Sequence, residues 1–369
     1  MAFCKVFDMF GLLILGSIIG NVVVVMGGSK CDFPAIYNFG DSNSDTGGRS
    51  AAIFQVPPPY GQTFFKKPSG RLSDGRLILD FIAQTLDLDY LSAYLDSIAP
   101  KFSDGANFAT GGSSILPGNF SPFDLGIQVN QFTQFKSRTR AFDHDNLNDC
   151  YDLPDQKDFS KALYTFDIGQ NDLAIGFRSM TPEQIKAAIP NILNQFELNI
   201  KRVYHEGARA FWIHNTGPIG CLPLSAITFK ARNGTLDQYG CVSFQNELAQ
   251  DFNLQLKNVV SNLRTQFPSA FFTYVDVYSV KLSLIVNAKK EGFVEPLKFC
   301  CGSLDPPLLC GTSAEVNGTT IKASLCADPG RHISWDGLHY TEAANKWIAS
   351  RILDGSVSDP PVSILAACP

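Results

Sequence analysis

The chain has 369 residues, of which 30 are basic and 35 acidic, so its formal net charge at pH 7 is −5. A nucleic-acid partner is not expected, because binding phosphates needs a basic face. Hydrophobic residues make up 45% and charged residues 18% of the chain, which favours a large buried core over disorder. The length alone allows one large domain or two of ordinary size.

The N-terminal segment predicts secretion. Lys5 precedes an apolar run from Phe10 to Met26, and small residues follow at 27–29. A positive start, an apolar middle and a small-residue exit are the parts of a secretory signal peptide. The run is shorter than the roughly 20 residues that a membrane-spanning helix needs, and an uncleaved anchor is the alternative. We expect residues 1–29 to be removed, and the mature chain to have no stable membrane span and to be extracellular or vacuolar.

Strands and helices alternate along the mature chain. In chain order, the patterns predict a strand over 34–39, a strand over 162–168, a helix over 182–207 with Thr181 as its N-cap, a strand over 208–213, a helix over 244–267, a strand over 270–277 and a helix over 341–353. Two loop-rich segments, 44–75 and 295–335, are interpreted as insertions. This order is typical of a parallel sheet with helices on both faces.

Residues suited to catalysis follow two of the predicted strands. Ser42 comes directly after the first strand and Asn171 after the second, while Asp336 and His339 precede the last helix. Ligands of open parallel α/β sheets bind beyond the carboxyl ends of the strands. A serine nucleophile needs a base and an acid that orients the base, so Ser42, His339 and Asp336 form a candidate triad. The Asn171 amide is a candidate donor to an oxyanion.

Simpler interpretations compete with this one. A Gly-Asp-Ser tripeptide is usually a turn, and Asn-Asp after a glycine is mostly a loop. His332, with Asp328, is the main alternative to His339, whereas His205 is interpreted as a helix-end cation and His214 as a packing residue at a strand end. The sequence has no G-x-S-x-G elbow, which counts against an ordinary α/β-hydrolase, and no G-x-G-x-x-G or P-loop that would indicate a nucleotide cofactor.

The ten cysteines fit a secreted protein, because disulfides persist in oxidising compartments. Loss of the signal peptide removes Cys4 and leaves nine, so at least one thiol is left over or pairs between molecules. Cys221 with Cys241 is a plausible local pair, and further bridges are expected within 300–326. Zinc binding in 300–326 is the alternative, but this segment has neither a CxxC pair nor a histidine. We expect no metal and no other cofactor.

Three N-x-S/T sequons also fit the secretory route. They begin at Asn119, Asn233 and Asn317. N-linked sugars are added to surface loops of secreted proteins, and the last two sequons continue with a glycine that favours a turn. All three are predicted glycosylation sites.

The sequence resembles the plant GDSL esterase/lipases, a branch of the SGNH hydrolases, over essentially the whole mature chain. Seven ordered segments carry the resemblance: FPAIYNFGDSNSDTGG (33–48), PPYGQTFF (58–65), SGRLSDGRLILDFIA (69–83), GANFATGGS (105–113), FDIGQND (166–172), NTGPIGCLP (215–223) and WDGLHYTEAAN (335–345). The early-nodulin and latex-esterase subgroup is the most similar, from SDTGG, FWIHNTGPIGCL and the tail SDPPV. The name-giving motif has leucine where this chain has Asn43, a position at which related plant sequences also carry asparagine.

The resemblance implies a three-layer α/β/α, flavodoxin-like fold with a mostly parallel central sheet. It also implies Ser42 as nucleophile, His339 as base and Asp336 as the group that orients the base. Because Ser42 and His339 lie far apart in the sequence yet must touch, residues 30–369 are expected to form a single domain, and a monomer is expected.

The resemblance implies three oxyanion donors as well. These are the Ser42 N–H, a glycine N–H in the NFATGG segment and the Asn171 side chain. Of the two glycines we favour Gly112 over Gly111. The implied activity is hydrolysis of small-molecule esters, namely acyl or acetyl esters of lipids, plant metabolites or glycans. Transfer of the acyl group to a metabolite alcohol is one alternative, and an inactive glycoprotein that binds lipid or glycan is another.

Overall fold

The computed structural model describes residues 30–144, 151–231 and 235–369. The predicted signal peptide, Cys4, Cys150 and the sequon residue Asn233 therefore lie outside the described residues. Within the three described ranges, no helix combines the length and the apolar character needed to cross a bilayer.

A mixed sheet of mostly parallel strands forms the centre of the molecule. The strands of this sheet are β1 (Ile36–Gly40), β2 (Gly105–Asn107), β3 (Leu163–Asp167), β4 (Ala210–His214), β5 (Phe271–Val275) and β10 (Ser358–Asp359). The strands β6 (Ser303–Leu304), β7 (Pro307–Leu308), β8 (Ser313–Val316) and β9 (Thr319–Lys322) form two separate hairpins. The central sheet has the order β10-β5-β4-β3-β1-β2, in which β10 pairs with β5 antiparallel and every other pair is parallel. The alternating sequence pattern predicted this parallel sheet.

Strand β1 lies inside the sheet, between β2 and β3. Its Phe39 is opposite Phe166 of β3, and the two rings stack with centroids 4.8 Å apart. All five residues of the strand are buried, as expected for a parallel strand covered on both faces. The segment that follows β1 is thereby held at the carboxyl end of the parallel strands, in the interior of the strand order.

Helices cover the sheet in two groups. They are α1 (Gly48–Ala52), α2 (Ile78–Thr85), α3 (Leu125–His144), α4 (Gln170–Ser179), α5 (Pro182–His205), α6 (Pro223–Ala231), α7 (Ser243–Gln266), α8 (Val277–Val286) and α9 (Glu342–Ile352). Helix α5 packs against α3 and α7, whereas α9 packs against α2 and α8. With the sheet between them, the helices give the three-layer α/β/α fold that the sequence implied.

The three predicted helices are present with ends within two residues of the prediction. At α5 the Thr181 hydroxyl accepts a hydrogen bond from Gln184 N–H, and Pro182 occupies the first helical position. At α9 the Thr341 hydroxyl accepts a hydrogen bond from Ala344 N–H. Helices α1 to α4, α6 and α8 were not predicted.

Four disulfides join the eight cysteines of the described ranges. They are Cys31–Cys368, Cys221–Cys241, Cys300–Cys326 and Cys301–Cys310. The Cys221–Cys241 pair and the bridges within 300–326 are confirmed. His332 lies close to the sulfurs of Cys300 and Cys326, but those sulfurs are bonded to each other and offer no thiolate to a zinc ion.

The insertion at 295–335 carries two small hairpins, β6-β7 and β8-β9. Asn317 lies exposed at the turn of the second hairpin with φ +51°, a geometry in which asparagine is common. Asn119 is partly exposed, while Ser121 of its sequon is buried and accepts a hydrogen bond from Phe123 N–H.

Candidate active site

A tight turn after β1 places Ser42 just beyond the carboxyl end of that strand. The backbone N–H of Asp41 donates to the carbonyl of Asp167, and the carbonyl of Asp41 accepts from Ser44 N–H at 3.2 Å. A side chain at Gly40 would place its Cβ 2.6 Å from the Asp167 carbonyl, so only glycine fits this close approach. Ser42 is partly exposed at this turn.

Asp336 and His339 form a hydrogen-bonded pair on the loop before α9. His339 Nδ1 lies 2.7 Å from Asp336 Oδ2. Asp336 Oδ1 accepts the backbone N–H groups of Leu338 at 3.0 Å and His339 at 2.8 Å, which fixes the carboxylate on its own loop. Because an ionised carboxylate only accepts, Nδ1 carries the imidazole proton and Nε2 is the free basic nitrogen.

Each member of this pair shifts the pKa of the other in the direction that favours the charged form. Burial would raise the pKa of Asp336, but His339 and the two backbone donors lower it to about 2. Burial would lower the pKa of His339, but the charge and hydrogen bond of Asp336, with a contribution from Asp41, raise it above its ordinary value. Asp336 is therefore ionised, and His339 is well placed to accept a proton.

Asp41 connects the β1 exit with the histidine loop. It directly precedes Ser42, and its charge is one of those that raise the pKa of His339. The Ser42 hydroxyl forms no hydrogen bond with another residue of the described ranges. Hydrogen bonds between catalytic groups are often long in unliganded enzymes and shorten when the substrate binds.

Asn171 lies in the first turn of α4 and faces the β1 turn. Its Nδ2 donates to the carbonyl of Ser113 at 2.8 Å and to Asp41 Oδ2 at 3.2 Å. The structure thus brings Asn171, the Asp41-Ser42 turn and the glycine segment before Ser113 to one place. The next residue, Asp172, accepts the N–H groups of Ile115 and Leu116 and so ties α4 to the same segment.

The two candidate glycines differ in what their N–H groups do. The N–H of Gly111 donates to Asp45 Oδ2 at 2.7 Å and is therefore occupied. In the described part of the chain, the N–H of Gly112 has no acceptor, and neither does that of Ser42. Gly112 also has φ +88°. The geometry favours Gly112 over Gly111 as an oxyanion donor.

The competing base His332 has a local structural role. Its Nδ1 bonds the main-chain carbonyl of Asp328 at 3.0 Å, and the Asp328 carboxylate accepts the N–H of Gly330. Asp328 therefore bonds His332 through its main-chain carbonyl, whereas Asp336 bonds His339 through its carboxylate.

A second group of ionisable residues, which the sequence did not reveal, lies beneath the site. Asp167 ends β3 and accepts from His214 Nδ1 at 3.2 Å, while Trp212 Nε1 donates to His214 Nε2 at 3.1 Å. His214 therefore does more than pack, because both of its ring nitrogens contact other side chains. Lys281 is 3% exposed, and burial lowers its pKa, although Asp167 and Asp41 oppose this. In the sequence, the one indication of this group is Lys281, a lysine within the apolar stretch VYSVKLSLIV.

Burial and the neighbouring Asp167 carboxylate raise the pKa of Asp41 to about 7. Both oxygens of Asp41 accept hydrogen bonds: Oδ1 from the backbone and side-chain nitrogens of Asn43, at 2.9 and 3.0 Å, and Oδ2 from Asn171. Asn43, the position that departs from the name-giving motif, thus holds the carboxylate before the candidate nucleophile.

A small apolar void lies beside His339, with a volume of about 10 Å³ and with Leu222, Pro223, Ile285 and Ile333 among its lining residues. It has room for about one water molecule, so it does not identify the binding site of the ester.

Comparisons with known proteins identify the family of this chain. The family model described as "GDSL-like Lipase/Acylhydrolase" matches residues 36–352. A GDSL esterase/lipase of Arabidopsis thaliana is 54% identical, with 92% of each chain covered. An esterase of Hevea brasiliensis and the GDSL esterase/lipase ENOD8 of Medicago truncatula are each 49% identical, covering 92% of this chain and 90% and 91% of their own. The chain therefore belongs to the GDSL esterase/lipase family and is a carboxylic ester hydrolase.

Proposed function

We propose that this hydrolase is a secreted serine esterase that acts through Ser42, His339 and Asp336 with an acyl-enzyme intermediate. The observation that carries the proposal is the 2.7 Å contact between His339 Nδ1 and Asp336 Oδ2, which leaves Nε2 free as a base. Ser42 leaves a parallel strand at the sheet edge, where α/β enzymes bind their ligands.

The reaction proceeds in two acyl transfers. His339 Nε2 takes the proton of the Ser42 hydroxyl while Oγ attacks the ester carbonyl. The tetrahedral intermediate collapses, the C–O bond to the alcohol breaks, and His339 returns the proton to the leaving alcohol. Water, deprotonated by His339, then attacks the acyl-enzyme. The bond between the acyl carbon and Oγ breaks, His339 returns the proton to Oγ, and the carboxylic acid leaves. Asp336 stays ionised and stabilises the imidazolium in both steps.

Three donors hold the oxyanion in this proposal. They are the N–H groups of Ser42 and Gly112, which have no acceptor among the described residues, and the side-chain amide of Asn171. Loss of one such donor costs about 10²–10³ in kcat in serine hydrolases, which equals about 2.7–4 kcal/mol of barrier.

The substrates proposed are acyl or acetyl esters of lipids, plant metabolites or glycans, in keeping with the lipase/acylhydrolase description of the matching family model. Secretion is supported by the N-terminal pattern and by the disulfides. In this view residues 1–29 are cleaved, residues 30–369 are one domain and a monomer, and Asn119, Asn233 and Asn317 carry sugars.

The test compares two histidines and one serine. We expect Ser42→Ala and His339→Ala to abolish hydrolysis of p-nitrophenyl esters, acetate to palmitate, whereas His332→Ala stays active. A fluorophosphonate should label wild-type protein at Ser42 and leave Ser42→Ala unlabelled. Full activity of Ser42→Ala, or loss with His332→Ala but not with His339→Ala, would overturn the assignment. Product analysis with an added alcohol would reveal acyl transfer in place of hydrolysis.

A further inference from the structure

A third side chain reaches the carboxylate of the Asp336–His339 pair. The hydroxyl of Tyr60 donates to Asp336 Oδ2 at 2.8 Å, and this is the oxygen that also meets His339 Nδ1 at 2.7 Å. Tyr60 precedes Asp336 by 276 positions, so tertiary packing brings them together. Tyr60 is 7% exposed, which shields the contact from water.

The chemistry of Tyr60 at this place is that of a donor. Burial, and then the Asp336 charge and hydrogen bond, raise the pKa of the Tyr60 hydroxyl far above its ordinary value. The hydroxyl therefore keeps its proton at any pH at which the enzyme works. With the two backbone N–H groups on Oδ1 and two donors on Oδ2, Asp336 has four hydrogen bonds and one fixed orientation.

The disulfide-linked insertion at 295–335 packs against both Tyr60 and the residue before Asp336. The ring of Tyr60 packs edge-on against Trp335, the residue before Asp336, with centroids 5.8 Å apart. The N–H of Cys301 donates to the carbonyl of Trp335 at 2.6 Å. Tyr60 and Trp335 share a small core, separate from the main one, with Val56, Cys300, Cys301 and Cys310.

We propose that Tyr60 is a positioning residue for the esterase reaction: its hydroxyl fixes the Asp336 carboxylate toward His339, and the disulfide-linked insertion keeps it there. This inference rests on the proposed triad and extends it by one residue. The hydroxyl of Tyr60 bonds Asp336, so the role assigned to it is exerted through Asp336.

Removing the hydroxyl has two consequences that a purely structural role would not produce. With one donor fewer, the Asp336 charge is less neutralised, so it stabilises the His339 imidazolium more strongly and raises the pKa of His339. The acid limb of kcat/KM then moves to higher pH. The carboxylate also gains freedom to rotate, so fewer molecules have the imidazole aligned, and kcat falls while KM is kept.

The experiment compares Tyr60→Phe with Tyr164→Phe. Both substitutions keep a buried ring and remove one donated hydrogen bond, but the Tyr164 hydroxyl donates to the carbonyl of Phe159 instead. Steady-state hydrolysis of a short p-nitrophenyl ester is followed across pH. For Tyr60→Phe we expect kcat to fall by about tenfold, KM to stay unchanged and the acid limb to rise by about half a pH unit. Tyr164→Phe should keep the wild-type profile.

An unchanged acid limb in Tyr60→Phe would overturn the inference, whether or not kcat falls. Thermal unfolding, measured on the same variants, shows that each is folded. Asp336→Asn is run alongside to separate this inference from the triad. If Asp336→Asn loses activity while Tyr60→Phe matches wild type, only the inference is wrong. If Asp336→Asn stays fully active, the triad itself is wrong, and the role of Tyr60 is wrong with it.

Discussion

Asn171 donates its side-chain amide to the Asp41 carboxylate over 3.2 Å, so the residue before the proposed nucleophile holds the proposed oxyanion donor. The same amide donates to the Ser113 carbonyl at 2.8 Å. Both N–H groups are thus oriented before a substrate arrives, which is the preorganisation that electrostatic catalysis requires. The longer bond, to Asp41, is the one we expect to be exchanged for the oxyanion.

We predict that Asn171→Ala lowers kcat by about 10²–10³ with little change in KM, because the donor matters only when the oxyanion forms. Steady-state kinetics on a p-nitrophenyl ester measures both constants. Asn43→Leu is the matched control, since it removes the other side-chain amide on the Asp41 carboxylate and installs the leucine of the name-giving motif. We expect Asn43→Leu to stay within about fivefold of wild type, because the Asn43 N–H still holds Asp41. An equal loss in both variants would assign the effect to Asp41 and not to an oxyanion donor.

The sequence predicted the elements that have strong boundary signals. Helix α5 has a threonine cap followed by proline, and α9 has a threonine cap, so both starts were predicted to within a residue. Helix α3 (Leu125–His144) was missed because its apolar residues are few and its surface side is rich in polar residues. Strand β2 has three residues, Gly-Ala-Asn, none of which favours a strand. It exists because β1 offers it a partner.

The same division applies to the site. Ser42 and Asn171 follow predicted strands, and Asp336 with His339 form a short local motif, so chain position made them candidates and the resemblance to the GDSL esterase/lipases implied their roles. Tyr60 lies in a turn-rich segment, and nothing near it in sequence indicates that its hydroxyl meets Asp336. His214 and Lys281 likewise gain their roles from Asp167, a contact that only the folded sheet creates.

We predict that Asp41→Asn stabilises the protein increasingly as the pH rises from about 4 to about 7. The folded pKa of Asp41 is about 7, whereas an unfolded aspartate titrates near about 3.9. Between these values the folded state holds a proton that the unfolded state has lost, so the Asp41 contribution to stability falls as the pH rises. Asparagine does not ionise and escapes this loss. A gain in Tm of about 2 °C or more at neutral pH is expected in thermal scans.

Asp336→Asn should show the opposite sign in the same scans. The folded pKa of Asp336 is about 2, so its contribution to stability is present above about pH 4 and is lost as the pH falls toward 2. The variant should therefore have a lower Tm than wild type at neutral pH, and this Tm difference should close in acid.

For the Asp41→Asn variant, a Tm difference from wild type that is the same at pH 4 and pH 7 would contradict the raised pKa of Asp41.

The last prediction separates two disulfides by what they support. Cys31–Cys368 closes a loop with a sequence separation of 337, against 9 for Cys301–Cys310. The chain-entropy model gives roughly 6 kcal/mol for the long loop and roughly 3 kcal/mol for the short one. We expect the double serine variant of Cys31 and Cys368 to lose more in Tm and to keep kcat, because these cysteines pack with the main core and not with the small core that contains Tyr60 and Trp335.

The double serine variant of Cys301 and Cys310 should show the reverse pattern, with a smaller loss in Tm and a lower kcat. Both cysteines pack in the small core with Tyr60 and Trp335, so loosening them frees the group that orients Asp336. Double variants avoid an unpaired thiol, and Tm with kcat at one temperature gives both readouts. If the Cys301/Cys310 variant loses stability but keeps the wild-type kcat and acid limb, the insertion stabilises the fold without positioning the carboxylate.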